Sequence, residues 1–150
     1  MTDTPRGALM QIGQVADRTG LSLRTIRFYE ENGLVIPPAR SEGGFRLYSD
    51  DEVARLETIK RMKPLGFSLE EMQQALTLLA DLESGTGDRA QLIDRLQMFH
   101  AAAIARVAAL REHLAVAEGF AETLVRHLDA GRGEDVAGGP TRRTRPTEGR

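Results

Sequence analysis

From Ile93 onward, apolar residues recur at alternating steps of three and four: Leu96, His100, Ala103, Val107, Leu110, Leu114, Ala117, Ala121, Leu124 and Leu128, with His100 the one polar member. A straight α-helix drifts by about 20° per heptad against such a repeat, so a seam kept for about five heptads predicts a coiled coil. The helix is expected over residues 89–129, with Asp88 and Gln91 as its caps. It outruns anything the preceding residues can cover, and the economical partner is the same helix from a second copy. Ala103, Ala117 and Ala121 would let two backbones approach closely, while Phe99, Ile104, Phe120 and Val125 widen the seam. The competing arrangement is a helix folded back on its own N-terminal domain.

The residues before this helix read as a small winged domain over 10–82, joined to it by a linker at 83–88. Ile12, Val15 and Ala16 share one face of a first helix that stops at Gly20. Ser22 can cap a second, in which Leu23 and Ile26 face inward, Arg24, Thr25 and Arg27 face out, and Gly33 terminates. Two short helices across a tight glycine turn make a helix-turn-helix. Pro37-Pro38, a turn at Gly43-Gly44 and the alternation Phe45-Arg46-Leu47-Tyr48 then predict a β-hairpin, or wing. Ser49 with Glu52, and Ser68 with Glu71, are capping boxes opening two further helices, the first ending before Pro64 and the second near Leu82. Residues 1–9 read as a frayed arm and residues 130–150, rich in Gly, Pro, Thr and Arg, as a tail with nothing to bury. The fold class is mainly α: a winged helix-turn-helix followed by a long C-terminal dimerisation helix.

Composition narrows the chemistry. The chain of 150 residues has no cysteine, which excludes disulfides, thiolate metal sites and cysteine nucleophiles and suits a reducing cytoplasm. No apolar run reaches the roughly 18 residues of a membrane helix, and the first ten residues do not read as a signal peptide. No Ser/His/Asp set, phosphate loop or H-E-x-x-H motif marks an enzyme. The net charge of −2 is unlike a strongly basic nucleic-acid binder. From Arg18 to Tyr48, however, five arginines (Arg18, Arg24, Arg27, Arg40, Arg46) face three acids (Glu30, Glu31, Glu42). DNA binding must therefore rest on where these arginines point.

Arg24, Thr25 and Arg27 lie in the first half of the second helix, where a recognition helix presents donors to the major groove and to phosphates. Arg46 and Tyr48, two apart, share a strand face on which a guanidinium and a phenol can meet the DNA backbone, with Phe45 and Leu47 on the other. Alternatively these arginines are a solvated face, with Tyr29 and Tyr48 as core aromatics.

The segments Ile12-Gly13-Gln14-Val15-Ala16, Thr19-Gly20-Leu21-Ser22-Leu23-Arg24-Thr25-Ile26-Arg27-Phe28-Tyr29-Glu30, Gly33-Leu34, Gly44-Phe45-Arg46-Leu47-Tyr48 and Leu65-Gly66-Phe67-Ser68-Leu69-Glu70-Glu71 resemble, in order and spacing, the MerR family of transcription regulators over about residues 10–82. The resemblance implies that Arg24 and Thr25 face bases or nearby phosphates and that Arg27, Tyr29, Arg46 and Tyr48 hold the backbone. It implies that Arg61 and Lys63, before a second wing at Leu65 to Phe67, touch flanking phosphates. It further implies an antiparallel coiled-coil homodimer on inverted-repeat promoters, bending and untwisting an overlong spacer so that RNA polymerase engages both promoter elements. The alternatives are an architectural protein that bends DNA without activating transcription, against which the long seam counts, and an interaction protein whose coiled coil takes a different partner.

The absent cysteines depart from the metal- and superoxide-sensing members of that family, and about 20 residues after Leu128 leave no room for an appended drug-binding domain. His100, His113 and His127 are not spaced three or four apart on the helix, so no metal site is expected, and no cofactor. What remains is a small organic effector near Phe99, His100, Arg106 or Phe120, or no effector at all. Sparse aromatic content argues mildly against a dedicated aromatic-drug pocket.

Overall fold

The computed structural model describes residues 8–139. The local signals act as expected at the helix starts. The Ser22 hydroxyl accepts the Thr25 amide at 3.1 Å and opens the second helix. The Ser49 amide donates to the Glu52 carboxylate at 2.8 Å, and Ser68 and Glu71 exchange amide donations at 2.9 and 3.1 Å. Each such cap satisfies amides that the helix itself leaves orphaned. The helices are α1 (Ile12–Thr19), α2 (Leu23–Glu31), α3 (Asp50–Met62), α4 (Leu69–Ser84) and α5 (Arg89–Ala137), with a 3-10 turn at Lys63–Leu65 where Pro64 ends α3. Asp88 Oδ1 accepts the Ala90 amide at 2.9 Å and caps α5.

The wing is a three-stranded sheet. β1 (Met10–Gln11), β2 (Ala39–Arg40) and β3 (Arg46–Tyr48) pair antiparallel in the order β1-β3-β2, with Met10 opposite Tyr48 and Arg40 opposite Arg46. Gly44, at a φ of 81°, makes the turn between β2 and β3, its amide donating to the Ser41 carbonyl at 2.9 Å. The two-residue β1 carries no sequence signal of its own. It exists because β3 offers it a free edge.

Val15, Ile26, Tyr29, Leu34, Val35, Tyr48, Leu56 and Ile59 form the centre of the core, with Met10, Val53, Met72 and Leu76 around them. Each large apolar side chain so buried contributes about 1.5–3 kcal/mol. The Arg55 Nε–H donates to the Leu34 carbonyl at 2.9 Å, and the Lys60 ammonium donates to the Thr19 carbonyl at the end of α1. Both lie on α3, so α3 holds α1 and the segment after α2 by polar contacts as well as packing.

Three expectations are corrected. Leu23 does not face inward: it is 42% exposed, because the first turn of α2 lies outside the packed face that Ile26 and Tyr29 occupy. β3 is turned over: Tyr48 is fully buried and Arg46 half-buried, while Phe45 stands 65% exposed at the wing tip. The long helix does not stop at residue 129. It continues to Ala137 through Gly131 and Gly133, because no proline intervenes before Pro140. The remaining tail, 140–150, and residues 1–7 of the expected arm lie outside the described residues.

The chain divides into two compact units, one ending at Val107 and the other beginning at Ala108. The first therefore includes the start of α5, where the expected boundary lay at residues 83–88. Among the described residues no helix is long and apolar enough to cross a membrane.

Candidate nucleic-acid interface

On α2, Arg24 and Arg27 project into solvent. Thr25 is half-buried, its hydroxyl 2.8 Å from that of Ser22, and thus serves the cap while keeping one edge outward. Arg27 borders a cleft with Phe45 and Arg46 of the wing and with Gln11 and Ile12 at the start of α1. Recognition helix and wing are thus brought together at Arg27. Arg40 on β2 is exposed too, its guanidinium reaching back to the Gly44 carbonyl at 3.4 Å.

The expected role of Tyr48 as an outward donor does not fit its position, whereas Arg46 keeps 39% of its side chain exposed. The Tyr48 hydroxyl donates to Glu30 Oε2 at 2.7 Å, and Arg46 Nε forms an ion pair with Glu30 Oε1. Glu30, near the end of α2, is only 13% exposed at its side chain and so clamps the wing strand to the recognition helix. Burial, and then the bond to Glu30, push the Tyr48 phenol well above its ordinary value. Tyr29 is likewise a core ring, tilted against Phe28 at 5.7 Å between centroids. Its buried ring contributes to packing rather than to an exposed surface.

Arg61 and Lys63 are exposed at the end of α3 and in the 3-10 turn. The Lys63 ammonium lies 5.8 Å above the Tyr29 ring, which links the second wing to α2. Arg18 pairs with Asp50 at 2.8 Å and Lys60 with Glu57 at 3.5 Å. Arg24, Arg27, Arg40, Arg61 and Lys63 are exposed.

Of the residues expected near an effector, Phe99 and Arg106 line one cavity of about 280 Å³ between α4 and α5, and Phe99 and His100 line a second of about 310 Å³. Phe120, in the second unit, is 65% exposed and lines neither. The seam residues divide nearly as the units do, with His100 exposed in the first. Ile93, Leu96, Ala103 and Val107 are half-buried, and Leu96, His100 and Ala103 face Met62, Leu65, Leu78 and Leu79 across the second cavity. Leu110, Leu114, Ala117, Ala121, Leu124 and Leu128 are exposed.

Comparison with known proteins agrees with this geometry. The pattern described as MerR HTH family regulatory protein matches residues 10–79, and the MerR DNA-binding pattern matches residues 53–117. The chain is 31% identical over 131 residues to the HTH-type transcriptional regulator CueR of Salmonella typhi, covering 87% of this chain and 88% of that one. It is 52% identical over 75 residues to the HTH-type transcriptional regulator YfmP of Bacillus subtilis, a match spanning 49% of this chain and about half (54%) of that regulator. The fold is similar, at a TM-score of 0.62 and 21% identity, to that of HiNmlR, a MerR family regulator lacking the sensor domain, solved bound to promoter DNA; 82% of this chain and 94% of that one are covered. An exposed basic recognition helix, a wing clamped to it and a relative matched over nearly its whole length together make this chain a member of the MerR family of DNA-binding transcriptional regulators.

Proposed function

We propose that this regulator acts in the cytoplasm as a homodimer on inverted-repeat promoter DNA, its two copies joined through antiparallel α5 helices. The observation that carries the dimer is the row Leu110, Leu114, Leu124 and Leu128, 44–59% exposed at heptad positions. Leucines at that spacing gain most by meeting a second copy of themselves. The dimer bends and untwists the spacer between promoter elements so that RNA polymerase engages both. Bending a site of this size costs on the order of 1–6 kcal/mol, which distributed phosphate contacts must offset.

Within that reading Arg24 and Thr25 approach base edges, Arg27 and the wing take the adjacent backbone, and Arg61 and Lys63 take flanking phosphates. The buried Tyr48 acts through the wing it anchors. Arg27→Ala is expected to weaken binding to all sequences alike and to lower the salt slope by about one, whereas Arg24→Ala also relaxes base preference. Equal loss of base preference in both variants, measured by binding to operator and scrambled duplexes across a salt series, contradicts these roles.

The deciding experiment is footprinting upstream of the gene for this chain and its neighbours, with transcription by RNA polymerase measured in parallel. A two-fold-symmetric protected site and altered transcription are expected. Protection of a single unrepeated half-site overturns the dimeric reading.

A further inference from the structure

The cleft between α4 and α5 has a composition that the DNA-binding role leaves unused. One wall is aromatic, with the Phe67 and Phe99 rings 6.4 Å apart and inclined at 48°. Met98, 72% exposed, stands at its mouth. Two guanidinium groups, Arg95 and Arg106, line it against one carboxylate, Glu71, so the lining carries one uncompensated positive charge. At about 280 Å³ it lies just under the roughly 300–1,000 Å³ common for small-molecule sites.

Arg106 is held loosely. Its guanidinium lies over the Phe67 ring at 4.0 Å and reaches the Glu71 carboxylate at 3.3–3.5 Å and the Leu65 carbonyl at 3.5 Å. Charge-assisted bonds of good geometry are about 2.7–2.9 Å long. Glu71 is also committed elsewhere: the Ser68 amide first, and Arg106 second, hold its carboxyl below the usual carboxylate range. A carboxylate with no such second duty can approach Arg106 more closely than Glu71 does.

We infer that this cleft binds a small amphipathic anion, a carboxylate on a short apolar body, with the carboxylate on Arg106 and Arg95 and the body against Phe67, Phe99 and Met98. The ligand competes with Glu71 and draws Arg106 away from Leu65 and Phe67, the residues of the second wing. The site thus joins ligand occupancy to the part of the chain beside Lys63.

The test uses the full-length protein carrying ¹³C-labelled methionine methyls, titrated with 3-phenylpropionate, its neutral amide and the corresponding amine. The expected result is a saturable shift of the Met98 methyl with the carboxylate, at least about tenfold weaker with the amide, as loss of a charged hydrogen bond predicts. Arg106→Gln should weaken the carboxylate by a similar factor, and Glu71→Gln, which keeps the helix cap, should tighten it. Equal binding of amide and carboxylate, a shift at Met62 without one at Met98, or no saturation overturns the inference. The amide comparison needs no variant, so it decides even where Arg106→Gln fails to fold, and it is read without DNA.

Discussion

Glu30→Ala is expected to destabilise the protein by roughly 2–3 kcal/mol, the cost of leaving buried polar groups without their charged acceptor. The substitution strands the hydroxyl of the fully buried Tyr48, which donates to Glu30, and removes the carboxylate with which Arg46 Nε forms its ion pair. Tyr48→Phe removes one donor without orphaning a buried acceptor, because Glu30 keeps Arg46, and should cost only about 1 kcal/mol. Urea unfolding of both variants and of the double variant measures the coupling. A Glu30→Ala loss no larger than that of Tyr48→Phe would mean that the clamp carries no weight. Alkaline pH gives an independent reading. Below the ordinary phenol value of 10.0 both folded and unfolded chains hold the Tyr48 proton, and the stabilisation is complete. Above it the unfolded chain releases the proton while the folded chain retains it, so stability falls as pH rises. Tyr48→Phe should flatten that decline. Glu30→Ala should flatten it only in part, since burial is the larger cause of the raised value.

The clamp also marks where sequence reading stops. Alternation in Phe45-Arg46-Leu47-Tyr48 tells which residues share a face, and Arg46 and Tyr48 do share one. It does not tell which face is inward, because an aromatic with a polar tip and an arginine beside it suit either. What decides is Glu30, 16 and 18 positions away, a contact that no local pattern encodes. The Arg106 contact with Glu71 is invisible for the same reason. Features set within one turn were legible: the boxes at Ser49 and Ser68, the Ser22 cap and the stop before Pro64. The end of α5 is not legible because the Gly, Pro, Thr and Arg content of residues 130–150 reads as a tail, although the first two glycines in it, Gly131 and Gly133, lie within the helix. Each costs a helix only about 1 kcal/mol, far less than a proline. The heptad seam was legible because its period is a property of the string itself. That its first half faces the cavity beside Leu78 and Leu79 was not.

That division of the seam sets where a dimer can be broken without disturbing the winged domain. Leu110→Glu with Leu114→Glu is expected to yield monomers at micromolar concentration, with helix content by circular dichroism unchanged. Both leucines lie in the unit beginning at Ala108, where they are exposed. In a two-fold dimer each substitution is felt twice. At about 1.5–3 kcal/mol per leucine, four leucines withdrawn remove roughly 6–12 kcal/mol. A nanomolar dimer has about 12 kcal/mol to lose. Ala105→Glu with Ala109→Glu, which add the same two charges away from the two leucines on the same helix, should leave the dimer intact and thereby separate seam loss from mere acidity. DNA affinity should fall by about a hundredfold or more in the monomeric variant, because two half-sites bound through one linked pair become two independent events. Sedimentation and duplex binding on the same samples decide between the arrangements. A double variant that remains dimeric would assign the partner surface to the cavity side of α5, and one that is monomeric yet binds operator DNA undiminished would divorce dimerisation from recognition.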